Sequence, residues 1–247
     1  MGRSVYLNGE YLDEADARVS VFDRGFLFSD GVYEVVSVLE GKLIDFEGHC
    51  RRLARSLSEL GMSSPISDED LLEVHRQLVR RNGVEEGVVY LQITRGAEDR
   101  DFAWSEDLAP TIVLFTQRKS IADSPLAKRG AKVIAIEDKR WGRRDIKTVQ
   151  LLWPSLAKME AKKAGKDDAW MVEDGAVTEG TSNNAYIVTG DGTIVTRQLS
   201  NAILHGITRA AVLAYAREAQ IKVEERAFTL AEAKGAAEAF VTSASGF

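Results

Sequence analysis

The sequence predicts two α/β domains in succession, each mixing sheet with helix, and three observations carry that expectation. Runs enriched in β-branched and aromatic residues recur along the whole chain. Between them lie stretches with apolar residues at helical spacing, closed by glycine. A short polar stretch over residues 119–125 separates two halves of similar make-up with no repeat between them. The expected division is a smaller domain over 1–118, a linker over 119–125 and a larger domain over 126–247. The 247 residues suffice for that, and 45% apolar with 28% charged is ordinary globular composition.

Taken in order, Val5-Tyr6-Leu7, Asn8-Gly9 and Tyr11-Leu12 read as a hairpin, because Asn-Gly supplies the positive φ angles of a tight turn. Asp23 to Gly31 is punctuated by glycine and aspartate and should be a loop. Val32 to Leu39 is a strand, turned by Glu40-Gly41 into Lys42-Leu43-Ile44. Phe46 to Leu60 is an amphipathic helix stopped by Gly61, and a second helix starts at Ser67 and ends at Asn82-Gly83. Gly87 to Thr94 and Thr111 to Thr116 are strands joined by a polar loop. In the second half, Lys132 to Glu137, Ala169 to Glu173, Ala185 to Val188, Thr193 to Thr196 and Phe240 onward read as strands. Thr148 to Lys163 is helical by pattern, with Leu151, Leu152, Leu156 and Met159 inward and a kink expected at Pro154. A helix runs from about Ile207 to Ala219, and Thr229 with Glu232 forms a capping box for another.

Net charge is −6, which disfavours a general nucleic-acid or membrane-surface role. No apolar run approaches the ~18 residues of a membrane span. The single cysteine, Cys50, allows neither a disulfide framework within the chain nor a multi-cysteine metal site, and a reducing, cytoplasmic setting fits. The three histidines lack metal-ligand spacing, so no metal is expected.

Four stretches carry candidate chemistry. Lys147 follows a basic run, Lys139, Arg140, Arg143 and Arg144. Lysine is a poor nucleophile at its free pKa of about 10.4, but like charges and burial lower that value and would let it condense with an aldehyde. A water-facing basic loop is the other reading of the same run. Glu179 precedes a glycine and the hydroxyl and amide side chains Thr181, Ser182, Asn183 and Asn184. A carboxylate held beside a pyridine nitrogen keeps it protonated, as pyridoxal phosphate requires to act as an electron sink; a turn residue among loop caps is the alternative. Gly206 before a helix, with Ile207 and Thr208, offers free N–H groups and a favourable dipole to a phosphate. Arg52 is able to clamp the same phosphate, or to stand as a surface charge on its helix.

The order Asp23-Arg24-Gly25, Asp30-Gly31-Val32-Tyr33-Glu34, His49 to Arg52-Leu53, Thr94-Arg95-Gly96, Asp145-Ile146-Lys147, Thr178-Glu179-Gly180-Thr181-Ser182-Asn183 and Gly206-Ile207-Thr208-Arg209 resembles the class IV aminotransferases, the fold-type IV pyridoxal phosphate enzymes. The resemblance runs from about Val5 to Ser243 and is strongest to the D-amino-acid transaminases. It implies two α/β domains with the cofactor at their interface. It implies transamination between a D-amino acid and a 2-oxo acid through a Lys147 Schiff base. Aminodeoxychorismate lyase, branched-chain or (R)-amine transamination, and cofactor binding without turnover are the alternatives. By the same resemblance Glu179 partners the ring nitrogen. Arg52, Thr181, Ser182, Ile207, Thr208, Ser243 and Ala244 contact the cofactor, Ala244 through its amide alone because the family has threonine there. Tyr33 and Val35 line the substrate pocket. Arg100 reaches in from the second subunit of a homodimer to hold the substrate carboxylate. Phe102 stands where the D-amino-acid enzymes carry histidine, which implies a range that is broader or shifted toward less polar substrates. Family members continue past Phe247 with a further strand and helix, so the domain is expected to lack its C-terminal end.

Overall fold

The computed structural model describes residues 2–123 and 125–245. They form two compact units of near-equal length, one comprising residues 2–121 with 146–150, the other 122–123, 125–145 and 151–245. The boundary after Ile121 falls inside the expected linker. The expected second domain, by contrast, took in 146–150, and this segment groups with the first unit because its backbone pairs there. Tyr33 N–H donates to the Lys147 carbonyl at 3.0 Å, Val149 N–H donates to Gly31 at 3.1 Å, and Thr148 bridges to Val32.

In the first unit, β1 (Ser4–Leu7) and β2 (Glu10–Asp13) form the expected hairpin, with Asn8 and Gly9 both at positive φ. A short helix, α1 (Arg24–Phe28), interrupts the expected loop; the Asp23 side chain caps it by accepting from Gly25 N–H at 2.8 Å. β3 (Gly31–Leu39) and β4 (Lys42–Leu43) follow, then α2 (Phe46–Glu59), α3 (Asp68–Asn82), β5 (Glu86–Thr94) and β6 (Thr111–Arg118). Ser67 caps α3 through Asp70 N–H, and Gly83 ends it at φ +56°. The sheet order is β2-β1-β6-β5-β3-β4, antiparallel throughout. α2 packs on β3, and α3 on β1, β5 and β6. Alternation along β3 decides which side chains reach which face. Val32, Glu34, Val36 and Val38 are buried, whereas Tyr33 and Val35 are only half-buried.

In the second unit, α4 (Pro125–Arg129) and β7 (Val133–Glu137) precede α5 (Leu152–Lys163) and β8 (Asp168–Glu173). β7 and β8 pair in parallel, and β9 (Ala176–Gly180) adds an antiparallel edge. A second sheet runs β12-β11-β10-β13, from β10 (Asn184–Val188), β11 (Ile194–Thr196), β12 (Val223–Glu225) and β13 (Glu238–Thr242). α6 (Ile207–Glu218) links the parallel pair β11 and β12, and α7 (Leu230–Gly235) carries the expected capping box. Two expectations fail at α5. It starts at Leu152, not Thr148, so Pro154 sits in the first turn, where its missing N–H costs no hydrogen bond. Its large apolar residues also point outward: Leu152, Leu156 and Met159 are 74%, 47% and 50% exposed, while Ala157 and Ala161 are buried against Ile134 and Ile136. The small side chains let the helix lie close on its sheet, leaving the bulky ones outside.

Candidate active site

The amine of Lys147 belongs to the first unit. Its backbone is fixed to β3 as described, and its N–H donates to Ser56 Oγ at 3.3 Å, one helical turn beyond Arg52 on α2. The ammonium lies 3.9 Å from the centre of the Tyr33 ring, an attractive arrangement for a cation over an aromatic face. Tyr33 stacks on Tyr90 at 5.7 Å, and Tyr90 on Phe115 at 4.8 Å, so β3, β5 and β6 present an aromatic ladder on the face that also bears Val35. Each cation of the basic run is engaged by a carboxylate. Lys139 pairs with Glu137, Arg140 with Asp138, Arg143 with Asp145 and Arg144 with Glu173.

On the opposite face of β3, Glu34 is 1% exposed. Arg52 grips it with two hydrogen bonds, Nε to Oε1 and Nη2 to Oε2, both 2.7 Å, and His49 Nδ1 donates to Oε2 at 2.7 Å. Burial on its own pushes this carboxyl up. The Arg52 guanidinium, the His49 hydrogen bond and the Lys147 charge outweigh that and hold it at about 2. Arg52 is therefore a buried, oriented cation and not a surface charge.

Arg100 and Phe102 sit on the long connection between β5 and β6. The Arg100 guanidinium lies 5.3 Å from the Phe28 ring centre and 5.6 Å from that of Phe102, and the two rings are 5.6 Å apart. The Phe102 ring is 78% exposed. Phe102 thus supplies a π surface to the Arg100 guanidinium.

Glu179, read as either an acid with a job or a turn residue, lies on β9 in the second unit, 4% exposed. Arg140 Nη1 donates to its Oε1. Asn184 Nδ2 donates to Oε2 at 3.0 Å, and Leu204 N–H reaches both oxygens at 3.2 and 3.3 Å. Arg140 is shared with Asp138, which it holds through Nε at 2.9 Å and Nη2 at 2.7 Å. Burial pushes the Glu179 carboxyl up, and Arg140 with the Leu204 amide pulls it back only in part. The carboxylate is thus still short of positive charge.

The same contacts run into the start of α6. Asn184 Nδ2 also donates to the Leu204 carbonyl at 3.0 Å. Gly206 is the N-cap of α6, and no side chain caps it. Its φ of −66° is open to any residue. Its space is not, since a Cβ would come within 2.0 Å of Asn184 Oδ1. Ile207 and Thr208 form the first turn, half-buried, with the amides an anion needs. Ser243 and Ala244 directly follow β13, whose Thr242 pairs with Asn184. Thr181 and Ser182 differ from expectation in detail. The Thr181 hydroxyl donates to Asp168 at 2.5 Å, joined there by Asn183 Nδ2 at 2.7 Å, and Ser182 is exposed. The chain from 181 to 183 is anchored to β8 by these bonds.

Sequence reasoning passed over Arg140 and Asn184 as partners of Glu179, Asp138 as the second acid that Arg140 holds, and Glu34 as the partner of Arg52. The signal for Glu34 was period-two alternation, which puts this acid on the inward face of its strand. Nothing local marks Arg140, 39 residues from Glu179.

The donor set fits pyridoxal phosphate. A buried carboxyl lacking full compensation suits a protonated ring nitrogen, an uncapped helix start with no Cβ at its head suits a phosphate, and a lysine amine suits the aldehyde. The comparisons agree. A family model described as amino-transferase class IV matches residues 31–246. The chain is similar to the D-alanine aminotransferase of Staphylococcus aureus (strain MSSA476), with 38% identity over 242 residues, 98% of this chain and 85% of the relative. Among solved structures, the branched-chain aminotransferase of Thermoproteus uzoniensis with norvaline has a TM-score of 0.87 at 26% identity, covering 99% of this chain and 84% of that one. A putative 4-amino-4-deoxychorismate lyase from Legionella pneumophila has a TM-score of 0.85 at 25% identity, covering 94% and 85%. Likeness of this extent, over residues that already fit the cofactor, means that the chain belongs to the class IV aminotransferases, enzymes that work with pyridoxal phosphate.

Proposed function

We propose that this enzyme moves an amino group from a D-amino acid, D-alanine being the type substrate, to a 2-oxo acid such as 2-oxoglutarate. Lys147 holds the cofactor through its Nζ and, once the substrate amine displaces it, carries the proton to and from the substrate Cα. The bound cofactor supplies an electron sink for the charge left at that carbon. Glu179, oriented by Arg140 and Asn184, keeps the ring nitrogen protonated. Arg52 and the amides of Ile207 and Thr208, with Ser243 and Ala244 beside them, hold the phosphate. Tyr33 and Val35 line the substrate side. Arg100 fixes the substrate carboxylate, and with it the face on which the Cα proton is exposed. The working form is a homodimer in which Arg100 serves the second subunit, and the single buried thiol suits a cytoplasmic setting. Among the described residues no helix is long and apolar enough to cross a membrane.

Arg100 is the observation that carries the D-amino-acid reading. An exposed guanidinium on a connecting loop, steadied by two rings, is suited to a small carboxylate. The 38% identity to a D-alanine aminotransferase supports it. Phe102 shifts the range toward less polar substrates. The test is the visible band of the cofactor-loaded enzyme. D-alanine should bleach it with release of pyruvate, and 2-oxoglutarate should restore it with release of D-glutamate. Lys147→Ala should keep the cofactor through its phosphate but lose the band and turnover; turnover that survives sinks the mechanism. Bleaching by L-leucine and not by D-alanine favours branched-chain transamination. Pyruvate released from aminodeoxychorismate with no acceptor favours the lyase.

A further inference from the structure

The Asp23-Arg24-Gly25 stretch enters the site only as a motif, yet its arginine is 3% exposed at the first position of α1. Arg24 Nε donates to Asp30 Oδ2 at 3.0 Å. Its Nη1 donates to the Asp101 carbonyl at 2.8 Å and the Ala103 carbonyl at 3.3 Å, and its Nη2 to the Phe102 carbonyl at 3.2 Å. The guanidinium lies 4.6 Å from the Phe28 ring centre and 5.3 Å from that of Trp104. Arg95 stacks on the same Trp104 at 4.0 Å and closes on Asp30 with Nε at 2.8 Å and Nη2 at 3.1 Å. The flanking motif residues serve this placement. Asp23 caps α1 and accepts from Thr94 Oγ1 at 2.9 Å. Gly25 lets α1 lie against β5, where a Cβ would come within 2.3 Å of the Thr94 methyl.

Three successive carbonyls of a loop that lies outside any sheet ladder therefore converge on one buried cation. They belong to the three residues directly after Arg100. The Phe28 ring that flanks Arg100 also flanks Arg24. Charge-assisted bonds of this kind are stronger than neutral ones, and a planar fork fixes direction as well as distance. We propose that Arg24 is a positioning residue for substrate recognition: by gathering the carbonyls of residues 101–103 it sets where Arg100 and Phe102 are presented, and so sets affinity for the substrate carboxylate. This rests on the reading of Arg100 given above.

The test compares Arg24→Lys and Arg100→Ala holoenzymes on two amino donors, D-alanine and (R)-1-phenylethylamine, which lacks a carboxylate. Lysine keeps the charge but not the fork. Arg24→Lys should raise KM for D-alanine about tenfold, with kcat and the amine's KM nearly unchanged, because a misplaced orienting group weakens recognition of the group it orients. Amides of residues 101–105 should exchange faster with deuterium in the variant, while those of α3 should not. An equal rise in KM for both donors, or no rise, overturns the proposal. If Arg100→Ala itself leaves KM for D-alanine unchanged, the carboxylate-clamp reading falls, and this proposal with it. A KM rise in Arg100→Ala alone removes only the role given to Arg24. One measurement needs no variant. In the unaltered enzyme the amides of Ala103 and Ser105, which donate to Asp101 and Glu98, should be protected; exchange at the rate of an unstructured peptide overturns the proposal.

Discussion

Each unit buries one glutamate against an arginine, and the two carboxyls move in opposite directions. Arg52 holds Glu34 in a two-pronged grip, with His49 beside it, and the carboxyl falls to about 2 despite its burial. Glu179 shares Arg140 with Asp138, and burial prevails over the partial compensation, so its carboxyl rises. The contrast separates a finished ion pair from an unfinished one. A buried charge with all its partners is part of the scaffold, and removing one partner is costly. A buried charge with too few is poised to take up another cation, and groups of this sort gather at active sites.

The largest effect should come from breaking the finished pair. Glu34→Gln leaves Arg52 buried without its anion and should cost about 3–5 kcal/mol of first-unit stability, read by urea denaturation; a loss below about 1 kcal/mol would contradict the account. Glu179→Gln should do the reverse. Arg140 retains Asp138, so stability should fall by only about 1 kcal/mol, while kcat should drop by about 10²–10³ as an oriented electrostatic partner is lost. Equal damage to folding and turnover would erase the distinction. Acid sharpens the comparison more gently. His75 is buried, and that burial lowers its ring from 6.5 to about 4. A base depressed in the folded state gives stability that is whole above the unfolded value and lost as pH falls through the folded one. Its share, about 3 kcal/mol for a shift of this size, should disappear between about pH 6.5 and 4. Glu34, also depressed, should withdraw its own share between 4.5 and about 2. Glu179, raised, has the opposite sign. Protection factors of the α2 and α3 amides, each taken against the intrinsic exchange rate at that pH, should therefore fall from pH 6.5 downward, and constant protection to pH 4 would refute the assignment to His75.

Much of this was legible from local chemistry. Asn8-Gly9, Ser67, Gly83 and the Thr229–Glu232 box each do in the structure what their side chains dictate, because caps and tight turns depend on neighbours in sequence. Lys147, Glu179 and Gly206 stood out as candidates by residue type and order. What escaped depends on distant partners. Which carboxylates take up the Arg140 charge is decided by packing across β7, β8 and β9. The outward leucines of α5 escaped for a related reason. Apolar spacing marks two candidate faces of that helix, and the alanine face wins because it fits closer to the sheet.

The chain's only sulfhydryl, Cys50, sits inside α2, where desolvation and the nearby Asp68 and Glu34 carboxylates push its thiol up to about 12. At neutral pH almost none of it is thiolate, so alkylating dyes and spin labels will pass it by. The native enzyme is thus a silent background for single-site chemical tagging, and a probe attached to a cysteine introduced elsewhere would report from that position alone.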